Sequence, residues 1–254
     1  MNTSVDWRAV DLVIFDVDGT LYDQSRLRLR MALEMAGSAL AGGGARDLRI
    51  VRSYRRHRER LAEMESETFV ESQFVDVAAD VDATPELVRK VVAEWMDRRP
   101  LRHLASSRYA GVERLFEALR RSGRGIAVLS DHPAEAKLDA LGLKSDLTVS
   151  ACDPNVRRLK PHPAGVRHIL SVTGTLAQRA LFIGDRFERD WLAAARAQVP
   201  ALIRSRLRHP RCATFRSYRS DVFAALGCDL GSASAAWGSP PAAHAGAAYH
   251  AREL

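Results

Sequence analysis

Cysteine is scarce in this chain. Cys152, Cys212 and Cys228 are the three in 254 residues. An odd, widely spaced set without a CxxC pair argues against a disulfide framework or a thiolate zinc site and fits reduced thiols. Long apolar runs are missing too. No stretch approaches the roughly 18 residues that a spanning helix needs, so no membrane partner is expected. Residues 1–11 carry Asp6, Arg8 and Asp11 with no apolar segment, so no secretory leader is expected and the chain reads as cytoplasmic. No internal repeat is present. Lysine is rare, with Lys90, Lys137, Lys144 and Lys160 alone, so the net charge of +7 rests on arginine. Such a balance can serve nucleic acid, an anionic surface or small anionic substrates, but arginine spread along the whole chain can also reflect composition alone.

What is present suits a folded core. Hydrophobic residues make up 46% and charged residues 27%, enough for one large domain or a core with a smaller one attached. Short apolar runs rich in Val, Ile and Phe predict buried strands at Val10–Phe15, Gly125–Leu129, Ala180–Ile183 and Pro200–Ile203, with Leu147–Ser150 as a weaker fifth. Between them Val112, Leu115, Phe116 and Leu119 recur at helical spacing, with Gly123 as the stop. A second helix follows Pro161 and Pro163, and a third carries Trp191, Leu192, Ala195 and Val199. Strands alternating with helices predict an α/β fold, a doubly wound parallel sheet covered on both faces.

Residues 21–105 read differently. Only helical patterns occur there: Leu27–Leu40, Leu48–Met64, Phe69–Ala79 and Pro85–Met96, the last opened by Thr84 as N-cap. Gly42-Gly43-Gly44 is expected to be a loop. The division is therefore a first core part at 1–20, a helical insert at 21–105, a second core part at 106–230, and a tail at 231–254. That tail is Gly, Ser, Ala and Pro with little to bury, and flexibility is expected of it.

The sharpest motif is Asp16-Val17-Asp18-Gly19-Thr20, directly after the first strand. Ligands bind at the carboxyl ends of strands in open α/β sheets. Two carboxylates held together repel unless one is protonated or a cation sits between them, and Gly19 lets the chain turn and backbone approach an anion. Ser130 ends the second strand. Lys160 precedes a proline-opened helix, in a chain where arginine otherwise carries positive charge. Gly184-Asp185 ends another strand, with Asp190 five residues on.

In order and context these residues resemble the haloacid dehalogenase (HAD) superfamily, over about Val10 to Ile203. The insert after the first motif looks like the helical cap of that family. The resemblance implies a phosphatase in which Asp16 is the nucleophile that forms an aspartyl-phosphate. Asp18 would protonate the leaving oxygen and then activate water. Mg²⁺ would be held by Asp16, the Asp18 backbone carbonyl and Asp185, with Asp190 orienting these groups. Ser130 and Lys160 would bind phosphoryl oxygens. Gly19 and Thr20 would support the loop, and the cap would close over a small phosphorylated metabolite. Asp18 argues against a dehalogenase, because a halide leaving group needs no proton. A phosphomutase on the same core, or a basic module binding nucleic acid or a protein partner, stay open as alternatives. Nucleic acid is not the expected partner, since a non-catalytic module has no need of mutually repelling carboxylates. Oligomeric state is left open.

One residue departs from the family pattern. Asp131 follows Ser130 where Asn is common, and a carboxylate beside a phosphate must point away or pair with a cation such as Arg186. The arginines of 46–60 are expected to form a solvated helix face. Arg26, Arg28 and Arg30 are placed where a cap residue could reach a substrate anion, and His162 is expected to be structural.

Overall fold

The computed structural model describes residues 5–40 and 44–227. The first strand, β1 (Leu12–Phe15), is followed by helices α1 (Gln24–Leu40), α2 (Gly44–Glu63), α3 (Phe69–Val81) and α4 (Pro85–Val92). A π-helical turn at Ala93–Arg98 leads into α5 (Arg99–Ser107). Then come α6 (Val112–Arg121), β2 (Gly125–Ser130), α7 (Glu135–Leu141), β3 (Leu147–Ser150), α8 (Ala164–Thr173) and β4 (Ala180–Gly184). A second π-helical turn, Phe187–Trp191, precedes α9 (Leu192–Arg196), β5 (Ala201–Arg204) and β6 (Ala213–Phe215).

The six strands form one parallel sheet in the order β3-β2-β1-β4-β5-β6. Strand periodicity divides the core in two. Val13, Phe15, Ile126, Val128, Leu181 and Ile183 face one layer, packed with Phe116 of α6 and the insert. Leu12, Ile14, Ala127, Leu129 and Phe182 face the other, packed with Val166 and Ile169 of α8 and Ala193 and Ala194 of α9. The chain runs outward from β1 to β3, then crosses back to β4 and runs outward the other way. The order reverses between β1 and β4, and the carboxyl ends of strands open a crevice at such a reversal.

Several expectations are revised. The run at Val10 is not strand: Val10 terminates a short 3₁₀ turn, and β1 begins at Leu12. β6 is a sixth strand that three residues, only one of them buried, do not announce. Gly44 opens α2 instead of belonging to a loop. Gly42 and Gly43 of that expected loop lie outside the described residues, as does the tail at 231–254. Thr84 caps α4, its Oγ1 accepting the Leu87 N–H at 3.2 Å. The α2 arginines are mostly exposed, but Arg58 is buried.

Candidate active site

Register brings the motif residues together. Phe15 pairs with Val128 on one side and Ile183 on the other, so Asp16 leaves the sheet level with the ends of β2 and β4. Gly19 turns the chain there with φ +97°, a conformation that favours glycine, and a Cβ on it would lie 2.1 Å from Asp185 Oδ2. A Cβ on Gly184 would likewise lie 2.3 Å from Asp190 Cβ. Two glycines thus let three carboxylates converge.

Asp16, Asp185 and Asp190 each present an oxygen within 4.8 Å of the others. Lys160 Nζ donates to Asp16 Oδ1 at 2.5 Å and to Asp190 Oδ1 at 2.7 Å. Thr20 Oγ1 donates to Asp16 Oδ2 at 2.8 Å. Asp190 Oδ2 accepts the backbone N–H groups of Asp185 and Arg186 at 3.0 and 2.9 Å. Asp190 is therefore fully occupied in bracing the loop after β4. Burial, with Asp190 and Asp185 nearby, raises the Asp16 carboxyl well above the ordinary range despite Lys160. Burial and then Asp190 push Asp185 up to about 7. Lys160, facing Asp16 and Asp190, is held protonated although burial opposes its charge.

These residues fit a hard divalent cation. Asp185 Oδ1 is buried and has no hydrogen-bond partner among the described residues, and Asp185 belongs to the carboxylate cluster. Asp16 and Asp185 are the side chains with oxygens placed to hold it.

The Asp18 carboxylate points elsewhere. Its oxygens accept from Lys137 Nζ at 2.7 and 2.8 Å, and Oδ1 also accepts from the Tyr22 hydroxyl. Burial would raise its pKa, but Lys137 and His132 outweigh that and hold it below the usual carboxylate range. Sequence reasoning passed over Lys137. The available signal was the one that marked Lys160: a lysine in a chain that otherwise uses arginine. Tyr22, His132 and Arg189 carry no local signal, and Arg58, expected on a solvated face, is instead buried.

Ser130 lies at the end of β2, buried, its Oγ accepting the His132 N–H at 3.2 Å. It braces the turn and does not line the cavity described below. Asp131 does line it, but Arg186 is not its partner: Asp131 Oδ1 accepts the Lys160 N–H at 3.0 Å, and Arg186 Nη1 pairs with Glu59 at 3.0 Å. His162 Nδ1 accepts the Ala164 N–H at 3.2 Å, a turn-forming contact.

The insert closes over these groups. Arg58 of α2 donates to the Asp131 carbonyl and to Gln73 of α3, and Glu59 pairs with Arg186 and Arg189. Glu65, Glu67 and Glu71 pair with Arg196, Arg158 and Arg157 of the core. Between the insert and the strand ends is a cavity of ≈ 510 Å³, reaching from Asp16, Asp185 and Lys160 to Met31, Trp95 and Leu104. It is the right size for a small molecule.

The family model of haloacid dehalogenase-like hydrolases matches residues 10–198. A phosphoglycolate phosphatase from Rhodospirillum rubrum is 31% identical over 158 residues, 60% of this chain and 64% of that protein. The match thus spans just under two thirds of that relative's length. Among solved structures, YfnB from Bacillus subtilis, bound to magnesium, superposes with a TM-score of 0.62 at 14% identity, covering 86% of this chain and 99% of that one. A 2-haloacid dehalogenase from Pseudomonas syringae gives 0.58 at 18%, covering 82% and 95%. At these identities the structures share the fold.

Proposed function

The chain belongs to the haloacid dehalogenase-like hydrolase family, and on that premise we propose that it hydrolyses small phosphomonoesters with Mg²⁺, through an aspartyl-phosphate on Asp16. The observation that carries this reading is the pairing of two differently tuned aspartates. Asp16 stands in a carboxylate cluster with Lys160, while Asp18, two residues on, is held apart by Lys137 and Tyr22.

In this reading Asp16 and Asp185, with the Asp18 carbonyl, would hold Mg²⁺, which would supply positive charge to offset repulsion between carboxylate and phosphate. An Asp16 oxygen attacks phosphorus and the P–O bond to the leaving group breaks. Asp18 donates a proton to that leaving oxygen. Asp18 is ionised in the absence of substrate, and a phosphate group beside it raises its affinity for the proton that a monoanionic ester brings. In the second half Asp18 takes a proton from water, whose oxygen attacks phosphorus and releases Asp16 and inorganic phosphate. Lys160 steadies the charge on the free Asp16 carboxylate before attack and after release. The size of the space between the insert and the strand ends limits substrates to small metabolites. The relative's substrate, phosphoglycolate, is one candidate. A proton-donating Asp18 also favours phosphate esters over haloacids.

The test is phosphate release from a panel of sugar phosphates, nucleotides, phosphoglycolate and a phosphopeptide, with Mg²⁺ or with chelator, beside halide release from haloacids. Mg²⁺-dependent hydrolysis of small esters is expected. Phosphopeptide as the preferred substrate, or halide release without phosphatase activity, overturns the reading.

A further inference from the structure

Cations and carboxylates are matched around most of the cavity. Lys160 meets Asp16 and Asp190, Lys137 meets Asp18, and Arg186 and Arg189 both meet Glu59. Arg58 is committed to the Asp131 carbonyl, Gln73 and Tyr54. Two cavity-lining cations stand apart from this pattern. Arg28 of α1 and Arg55 of α2 face the same space, and among the described residues neither side chain makes an ion pair or a hydrogen bond.

Both line the same cavity as Tyr22, whose hydroxyl donates to Asp18. The arginine pair and the residue assigned to protonate the leaving oxygen therefore face one space, which the body of the leaving group must occupy. Burial and the charge of Arg28 lower the pKa of the Arg55 guanidinium. Both remain open to solvent. Like charges on one cavity wall, neither paired with a carboxylate, favour an anion in that space, and a guanidinium fork suits carboxylate or phosphate oxygens. Leu27 and Met31, beside Arg28 on α1, and Trp95 and Pro100 supply apolar surface for the carbon skeleton that joins the two anionic ends.

We propose that Arg28 and Arg55 bind a second anionic group on the leaving portion of the substrate. The substrates are then phosphomonoesters of carboxylic acids or of alcohols that carry another phosphate. This inference rests on the phosphomonoesterase reading and adds to it the class of ester. The insert thereby selects by charge as well as by size.

The test uses pairs of esters that differ in the second anion alone. Initial rates are measured on the full chain with Mg²⁺ for 2-phosphoglycerate against glycerol 2-phosphate, which exchange carboxylate for hydroxymethyl. Fructose 1,6-bisphosphate against fructose 6-phosphate asks the same of a second phosphate, and p-nitrophenyl phosphate reports hydrolysis as such. At least one dianionic-ended ester is expected to exceed its partner in kcat/KM by roughly tenfold, the worth of a charge-assisted contact. Arg28→Gln with Arg55→Gln is expected to lower kcat/KM for that ester far more than for its partner, chiefly through KM. Arg55→Glu is expected to shift preference toward phosphoethanolamine over ethyl phosphate. Hydrolysis without preference in either pair overturns the proposal, as does a preference that the arginine variants leave intact. Failure to hydrolyse every ester, p-nitrophenyl phosphate included, instead overturns the phosphatase reading and the proposal with it.

Discussion

Lys137 Nζ lies 2.7 and 2.8 Å from the two carboxylate oxygens of Asp18, across 119 residues of chain. The contact joins the loop after β1 to helix α7, and both partners are largely shielded from solvent. A salt bridge in such a place contributes little net stability, because desolvation offsets attraction. Its consequence is positional: it turns the Asp18 carboxylate away from the Asp16 cluster and keeps it ionised without substrate.

Lys137→Met tests that consequence. Loss of the cation lets burial raise the Asp18 pKa. A group that must be ionised to activate water then protonates at higher pH, so the acidic limb of the kcat profile is expected to move up in pH. A fall in kcat of about 10- to 100-fold is expected, with Lys137→Arg recovering part of it. An unmoved acidic limb beside a reduced Tm points to a purely structural lysine.

Asp16→Asn is expected to reduce phosphate release by at least about 10³-fold, since an amide cannot attack phosphorus. The protein is expected to remain folded. One of three converging carboxylates is neutralised, and Lys160 keeps Asp190 as partner. Thermal melting and a phosphate-release assay check both halves, and retained turnover refutes the assigned nucleophile.

Asp185 makes the metal-free protein pH-sensitive. Its carboxyl is raised to about 7, above its unfolded value of roughly 3.9. It binds more protons folded than unfolded, so its contribution to stability is present below about pH 4 and is lost as pH rises to about 7. A divalent ion must displace that proton. The rise in Tm on adding Mg²⁺ is therefore expected to be small near about pH 5 and larger near about pH 8. An equal rise at both argues against Asp185 as a ligand.

Gly19→Ala is expected to cost about 1–3 kcal/mol in stability and to weaken Mg²⁺ binding. The new Cβ demands both an unfavourable φ and the space of Asp185 Oδ2. Denaturant unfolding and a Mg²⁺ titration by melting temperature check the two effects, and a variant that matches wild type in both is inconsistent with the tight Gly19–Asp185 approach.

The class of fold and the placing of carboxylates at strand ends are legible in the sequence. Apolar runs of four to six residues, ended by Asp16, Ser130 and Gly184-Asp185, mark parallel strands and their carboxyl ends, because buried strands read as continuous hydrophobic stretches and their termini do not. Helical periodicity and the Thr84 cap are local signals, so the insert was legible also. β6 was not: a strand of three residues is held by its neighbour β5 more than by its own propensity. Nor was the partner of any charge. Periodicity places Arg58 on a helix, but only packing buries it against Asp131, gives Glu59 rather than Asp131 to Arg186, and assigns Lys137 to Asp18. It also leaves Arg28 and Arg55 facing the cavity without a carboxylate. Such pairings depend on distance between residues remote in sequence, and in a chain with four lysines and many arginines only the tertiary structure decides which cations are matched.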